Sequence, residues 1–219
     1  MTRLFEAVIF DFDGVLVDSN PIAERHWARW AKHHGIPEND VLSIHHGRPT
    51  AETIRAVAPH LDIAAEALAK ETAEADDTDG LTRYPGAIEL INALPRDQWA
   101  IATSGTRRTA TNRMQFVGIP APKVLVTAND VKNGKPAPEP YLLAAKQLGI
   151  DIFKCAVLED APAGIRSAKS AGAFVIGVAS TNNTDALSEA DVIIPELKAL
   201  QLRITENGQI ELKILTLRL

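Results

Sequence analysis

The sequence lacks several features that define other classes of protein. Cys155 is the single cysteine, so an internal disulfide cannot form and a reducing compartment is expected. No apolar stretch approaches the ~20 residues that a membrane-spanning helix needs, and Asp11 comes too early for a secretory segment. No tract of Lys and Arg stands out, and the net charge is −5, which disfavours nucleic acid as a partner. We therefore expect a cytoplasmic protein without membrane association. Our expectation for its assembly is a monomer or weak dimer.

The composition and the apolar pattern predict an α/β fold. Apolar residues make up 46% and charged residues 23% of 219 residues, enough for a large core. Six short runs are apolar on both faces, as in buried parallel strands. These runs are residues 7–10, 99–102, 124–126, 155–158, 174–178 and 192–194. Helix-like segments separate them, and this alternation predicts a doubly wound parallel sheet with a Rossmann-like arrangement.

An insertion near the start of the chain interrupts this alternation of strands and helices. Residues 18–81 contain no clear strand and predict an all-helical cap domain, inserted into a core formed by residues 1–17 and 82–219. The expected cap helices are residues 22–34, 50–58 and 64–78. Trp27 and Trp30 are three residues apart and are expected to form the core of the cap. The polar segment 76–80 is the expected return hinge.

The end of the chain has a different pattern. Apolar and polar residues alternate on both sides of Asn207-Gly208. Such a dipeptide between alternating segments is a strong hairpin signal. We therefore expect a C-terminal β-hairpin that adds two strands to the core.

Polar residues suited to phosphoryl transfer follow four of the apolar runs. Ligands of open α/β sheets bind beyond the carboxyl ends of the strands, so these residues are expected to share one site. They are Asp11 and Asp13 after the first run, Thr103, Ser104 and Gly105 after the second, Lys135 after the third, and Glu159 and Asp160 after the fourth.

The chemistry of these groups predicts their roles. Asp11 would be the nucleophile that forms an aspartyl-phosphate. Asp13 would protonate the leaving oxygen and then deprotonate the attacking water. Lys135 would neutralise charge on the nucleophile and on the phosphoryl group. Gly14 would let the chain turn where a side chain would crowd the phosphate.

A magnesium ion is expected beside the nucleophile. Mg²⁺ prefers oxygen ligands and keeps several waters. Asp11, the carbonyl group of Asp13 and Asp160 would supply the protein ligands, and Glu159 would act through water. A purely structural role is the alternative for Glu159.

The second motif offers a hydroxyl group and backbone N–H groups. Thr103, with Ser104 and Gly105, would hold the phosphate oxygens. For Ser104 the backbone matters more than the hydroxyl group. The alternative for Thr103 is an ordinary residue at the end of a strand.

Asp11-Phe12-Asp13-Gly14-Val15, Thr103, Lys135 and Glu159-Asp160 together resemble the four motifs of the haloacid dehalogenase-like hydrolases, in the same order. The resemblance spans residues 8–178 or so. It implies Mg²⁺-dependent hydrolysis of phosphate monoesters, with an inserted helical cap that selects the substrate.

Two segments resemble a narrower group within this family. Residues 127–142 are similar to the third-motif region of glycerol-phosphate and 2-deoxyglucose-6-phosphate phosphatases. Residues 46–50 resemble their substrate-facing cap loop. The resemblance implies that Gly47 and Arg48 contact a small phosphorylated polyol or sugar, although a single loop arginine is equally compatible with a solvated position.

Alternatives remain open at this level. A phosphomutase of the β-phosphoglucomutase type uses the same chemistry, and a non-catalytic binding protein could have the same fold. A dehalogenase is disfavoured because it needs neither Mg²⁺ nor the acid Asp13. A phosphonatase would need a distinctive cap lysine, and neither Lys32 nor Lys70 has such a context.

Overall fold

The computed structural model describes residues 1–45 and 48–215. Within these residues, no helix combines the length and apolar character needed to cross a bilayer. In chain order, the strands and helices are β1 (Thr2–Phe5), β2 (Ala7–Phe10), β3 (Val17–Asp18), α1 (Asn20–His33), α2 (Glu38–Leu42), α3 (Thr50–Val57), α4 (Ile63–Glu74), β4 (Thr82–Arg83), α5 (Ala87–Ala93), β5 (Trp99–Ala102), α6 (Arg107–Val117), β6 (Val124–Val126), α7 (Glu139–Leu148), β7 (Cys155–Glu159), α8 (Pro162–Ala171), β8 (Phe174–Val178), β9 (Val192–Ile194), β10 (Leu200–Ile204) and β11 (Ile210–Ile214).

A parallel sheet of six strands, in the order β6-β5-β2-β7-β8-β9, forms the centre of the fold. Successive residues of β2 face opposite sides: Val8 and Phe10 join one apolar cluster, while Ala7 and Ile9 join the other. Both faces are therefore covered, which confirms the predicted doubly wound sheet. The strands β5 and β6 lie on one side of β2, and the later strands β7, β8 and β9 lie on the other. The carboxyl end of β2 is therefore a topological switch point.

Helices fill the segment between β3 and β4. The structure has α1, α3 and α4 there, close to the predicted helices, and also the short α2, which was not predicted. These helices have an apolar cluster of their own, in which the rings of Trp27 and Trp30 meet edge to face with centroids 5.5 Å apart. The antiparallel pairing of β3 with β4 joins them to the rest of the chain. The proposed domain division stays a prediction.

Helix α4 is shorter than predicted, because it ends at Glu74 instead of residue 78. The side chains that follow it bind elsewhere. Asp76 accepts hydrogen bonds from Arg108 and Asn112 on α6. Asp77 pairs with Arg25 on α1 at 2.8 Å. The segment predicted as a hinge is therefore fixed by side-chain contacts on two sides.

The C-terminal hairpin is present as β10 and β11, but it is part of a three-stranded antiparallel sheet with the order β1-β11-β10. The prediction of two added strands was therefore incomplete. The third strand, β1, precedes the central strand directly and pairs Phe5 with Ile210. Both residues are buried in the larger apolar cluster, so this small sheet belongs to the same core.

Candidate active site

A cavity of about 380 Å³ lies at the carboxyl ends of the central strands, facing the inserted helices. It brings together the predicted site residues of the core, and Arg48 lines it from the cap side. Gly47 lies outside the described residues. The predicted residues that line the cavity are Asp11, Asp13, Arg48, Thr103, Ser104, Gly105, Lys135, Glu159 and Asp160.

Asp11 and Lys135 form a buried ion pair at the switch point. The Lys135 Nζ lies 2.8 Å from Asp11 Oδ1 and 2.7 Å from Glu159 Oε1. The backbone N–H of Phe12 donates to the same Asp11 oxygen over 2.7 Å. Burial disfavours the ammonium, but the charges of Asp11 and Glu159 outweigh it and raise the pKa of Lys135 above its ordinary value. Lys135 is therefore a fixed cation beside Asp11.

Glu159 is completely buried and is held from both sides of its carboxylate. Its Oε1 accepts hydrogen bonds from Lys135 Nζ and, over 2.6 Å, from the Tyr141 hydroxyl group. Its Oε2 accepts the backbone N–H groups of Asp160 and Ala161 over 3.1 and 3.2 Å. These contacts fix Glu159 as a support for Lys135. Tyr141 was not predicted as a site residue.

The site carries an excess of negative charge. Carboxylate oxygens of Asp11, Glu159 and Asp160 lie within 4.8 Å of one another. Burial and the charge of Glu159 raise the pKa of Asp11 well above its usual range, and the same two causes raise the pKa of Asp160 to about 7. Lys135 alone neutralises only one of these groups. A divalent cation held by carboxylate oxygens would relieve this charge, so the donor set fits Mg²⁺.

The predicted phosphate-binding motif connects β5 to α6. The buried Thr103 accepts the N–H of Gly105 on its Oγ1 over 3.0 Å, whereas Ser104 is exposed. Thr106 caps α6, its hydroxyl group accepting the N–H of Thr109 over 3.2 Å. The N-terminus of an eleven-residue helix therefore follows the motif directly, and free N–H groups at such a terminus attract anions.

Asp13 is held by an arginine that was not predicted as a site residue. Arg113, on α6, donates from Nη1 to Asp13 Oδ1 over 2.6 Å and from Nη2 to Glu74 Oε1 over 2.9 Å. A sequence signal was present: Arg113 stands in the stripe of α6 that also contains Ala110 and Val117, and it is buried with them. A charged residue within an apolar stripe needs a partner.

Comparison with known proteins agrees with this geometry. The family model described as haloacid dehalogenase-like hydrolase matches residues 8–178. The chain is 42% identical to hexitol phosphatase A of Escherichia coli (strain K12), over 92% of this chain and 96% of that protein. It is 39% identical to glycerol-1-phosphate phosphohydrolase 2 of Saccharomyces cerevisiae, covering 90% of this chain and 84% of the relative.

A solved structure shares the architecture. The β-phosphoglucomutase of Clostridium difficile superposes with a TM-score of 0.74 at 27% identity, and the match covers 90% of this chain and 93% of that one. Together with the family-model match, this likeness confirms the resemblance inferred from the motifs. The protein belongs to the haloacid dehalogenase-like hydrolases.

Proposed function

We propose that this protein hydrolyses the phosphate monoester of a small sugar or polyol, in a Mg²⁺-dependent reaction through an aspartyl-phosphate. The observation that carries the proposal is the buried contact of Asp11 with Lys135 at the carboxyl end of the central strand. It supplies a nucleophile whose negative charge is partly balanced. The names of the relatives, a hexitol phosphatase and a glycerol-1-phosphate phosphohydrolase, support the substrate class.

The reaction takes place in two steps. In the first, a carboxylate oxygen of Asp11 forms a bond to phosphorus while the bond from phosphorus to the ester oxygen breaks, and Asp13 gives its proton to that leaving oxygen. In the second, Asp13 takes a proton from water as the water oxygen attacks phosphorus, which releases phosphate and restores Asp11. Thr103 and the N–H groups after it hold phosphoryl oxygens throughout, and Lys135 balances their charge.

Asp11 and Asp160, with the Asp13 carbonyl group, would hold the magnesium ion. When bound, the ion would neutralise the carboxylates and polarise the phosphoryl oxygens. Both oxygens of Glu159 already accept hydrogen bonds, which favours a role through Lys135 over direct contact with the ion. This favours the structural alternative for Glu159, and its water-mediated role stays a prediction.

The cavity suits a small hydroxyl-rich substrate. Its volume of about 380 Å³ is in the range of small-ligand sites. The cap side offers polar side chains that include Asn20, Glu71 and Arg48. The proposed cap, residues 18–81, would cover the phosphate end during the reaction and open for product release. A monomer or weak dimer suffices, because the described residues of a single chain line the cavity.

Release of inorganic phosphate from a panel of esters tests the proposal. The panel holds hexitol phosphates, glycerol phosphates, 2-deoxyglucose 6-phosphate and hexose phosphates, each with Mg²⁺ and with EDTA. We expect release only with Mg²⁺, and none from Asp11→Asn. The matched control is Asp97→Asn, an exposed residue just before the amino end of β5, which should keep wild-type activity. No release from any ester would contradict the proposal.

The likeness to a β-phosphoglucomutase makes mutase activity the second candidate. A mutase returns the phosphoryl group to a sugar hydroxyl group and therefore releases little free phosphate. Incubation with a hexose 1-phosphate, followed by separation of the products, distinguishes the two. We expect free hexose and phosphate; accumulation of the 6-phosphate in their place would identify a mutase.

A further inference from the structure

We propose that Arg113 is a positioning residue for Asp13. It fixes one oxygen of the Asp13 carboxylate so that the other faces the phosphate-binding motif, and it connects this arrangement to α4 through Glu74. The inference rests on the proposed function, in which Asp13 transfers the proton to and from the reacting oxygens.

The geometry of Arg113 is the first observation. Its side chain is only 4% exposed, and each terminal nitrogen donates to a different carboxylate, over 2.6 Å to Asp13 and 2.9 Å to Glu74. A guanidinium group is planar and presents its donors in a fixed fork. Two carboxylates held by one fork are fixed relative to each other, so Asp13 takes its orientation from Arg113.

The orientation of Asp13 is the second observation. Arg113 occupies Oδ1. A Cβ atom added to Gly105 would lie 3.8 Å from the other oxygen of Asp13, Oδ2, and 3.4 Å from Thr103 Oγ1. The oxygen that Arg113 leaves available therefore faces the motif that would hold the phosphoryl group. This is the orientation that proton transfer to a leaving oxygen requires.

The attachment to α4 is the third observation. Glu74 also pairs with Lys70 one turn earlier, and the Lys70 Nζ lies 4.4 Å from the centre of the Trp27 ring. The Asp13 side chain is thereby linked through Arg113 to the apolar cluster of the inserted helices. A change in the position of α4 would be transmitted to the proton-transferring group.

A purely architectural role, joining α4 to α6, is the rival explanation. Other side chains of α6 already make that joint, because Arg108 and Asn112 bind Asp76 just beyond α4. The contact of Arg113 with Asp13 contributes nothing to such a joint. The two roles also differ in what they do to catalysis, because an architectural residue affects every substrate equally.

The test compares two esters on each protein preparation. An alkyl phosphate, such as glycerol 1-phosphate or the best ester of the panel, needs protonation of its leaving oxygen, whereas p-nitrophenyl phosphate does not, because nitrophenolate is a stable anion. We expect Arg113→Met to lower kcat/KM about 10–100-fold more for the alkyl ester than for the aryl ester. The ratio of the two values is independent of the fraction of folded protein, so partial unfolding does not obscure it.

Matched variants define the outcome. Asp13→Asn should show the same selective loss in larger measure, Arg113→Lys a loss between Arg113→Met and wild type, and Glu74→Gln a smaller loss in the same direction. Arg108→Met changes an exposed arginine of the same helix and should leave the ratio unchanged.

Equal losses on both esters in Arg113→Met, which leave the ratio at its wild-type value, would overturn the inference while the proposed function stands. A wild-type protein that hydrolyses neither ester would overturn both.

Discussion

Gly14 occupies a position where any side chain would strain the backbone and displace a neighbouring group. Its φ of +84° lies in the left-handed region, and a Cβ atom there would overlap the Asp160 carboxylate. The sequence predicted a need to leave space for the phosphate, but in the structure the neighbour is a candidate metal ligand. Gly14 thus determines how closely the first motif approaches the fourth.

Gly14→Ala should therefore weaken Mg²⁺ binding by about 10–100-fold, the range found when groups that support metal ligands are altered. Calorimetric titration with Mg²⁺ measures the affinity. Gly208→Ala is the matched control, because Gly208 has a φ of +76° but open space around it. It should lower the melting temperature and leave the Mg²⁺ affinity unchanged; an equal loss of affinity in both variants would argue against the steric explanation.

Tyr141→Phe should destabilise the protein, although the substitution removes only a hydroxyl group and keeps the aromatic ring. The Tyr141 hydroxyl group is buried and donates to Glu159 over 2.6 Å, and a hydrogen bond to a charged group contributes about 1.5–3 kcal/mol. We expect the free energy of unfolding, measured by urea denaturation, to fall by that amount. Tyr84→Phe, at a half-buried position, should cost under about 1 kcal/mol. A smaller effect at Tyr141 than at Tyr84 would contradict the prediction.

For single residues, the sequence identifies the functional side chains that directly follow strands, but it does not show which residues they contact. Asp11 and Lys135 could be assigned to one site because both follow predicted parallel strands. Tyr141 and Arg113 lie inside helices, where periodicity reveals only which face is buried. Their partners, Glu159 and Asp13, are 18 and 100 residues away in the chain, so only the folded structure reveals these contacts.

Among the elements, the small antiparallel sheet contributes to the main core. Ile210 lies opposite both Phe5 and Ile204 and is fully buried. Ile210→Ala should lower the free energy of unfolding by about 2–5 kcal/mol, the usual cost of removing a large buried side chain. Ile204→Ala, at a position that is 38% exposed, should cost about 0.2–1 kcal/mol. Urea denaturation measures both, and equal costs would show that the sheet lies outside the core.

The elements differ in how well the sequence predicts them. The six strands of the central sheet were predicted because buried parallel strands are apolar on both faces, a pattern that few other elements share. Strand β1 was missed because three of its four residues are exposed and its partner lies at the opposite end of the chain. Helix α2 has only five residues, too few to produce a clear period.

For the whole molecule, the buried carboxylates should couple stability to pH and to Mg²⁺. Burial and the charge of Glu159 raise the pKa of Asp160 to about 7. A carboxyl group with a raised pKa binds a proton on folding, so without metal its contribution to stability is full below about pH 4 and is lost as the pH rises through about 7. Because the proposed Mg²⁺ would bind the ionised carboxylates, the increase in melting temperature that it causes should grow over the same interval.

Thermal unfolding with Mg²⁺ and with EDTA, at pH values of about 5.5 and about 8, measures this effect. Asp160→Asn removes the titrating group and should make the Mg²⁺ effect small at both pH values. A Mg²⁺ effect that is equal at the two pH values in wild type, or larger at the lower one, would contradict the prediction.

Helix α6 makes the inserted segment a poor unit for recombination between relatives. It begins at the predicted phosphate-binding motif. Its side chain Arg113 binds Glu74 at the end of α4, and Arg108 and Asn112 bind Asp76 just beyond that helix. A chimera that exchanges only the residues between β3 and β4 would place a foreign sequence against this unchanged surface. Donor segments that lack the equivalent of Glu74 would leave the buried Arg113 without its second partner, and those that lack the equivalent of Asp76 would remove the partner of Arg108. Productive exchange of substrate preference therefore requires α6 to be transferred together with the inserted segment.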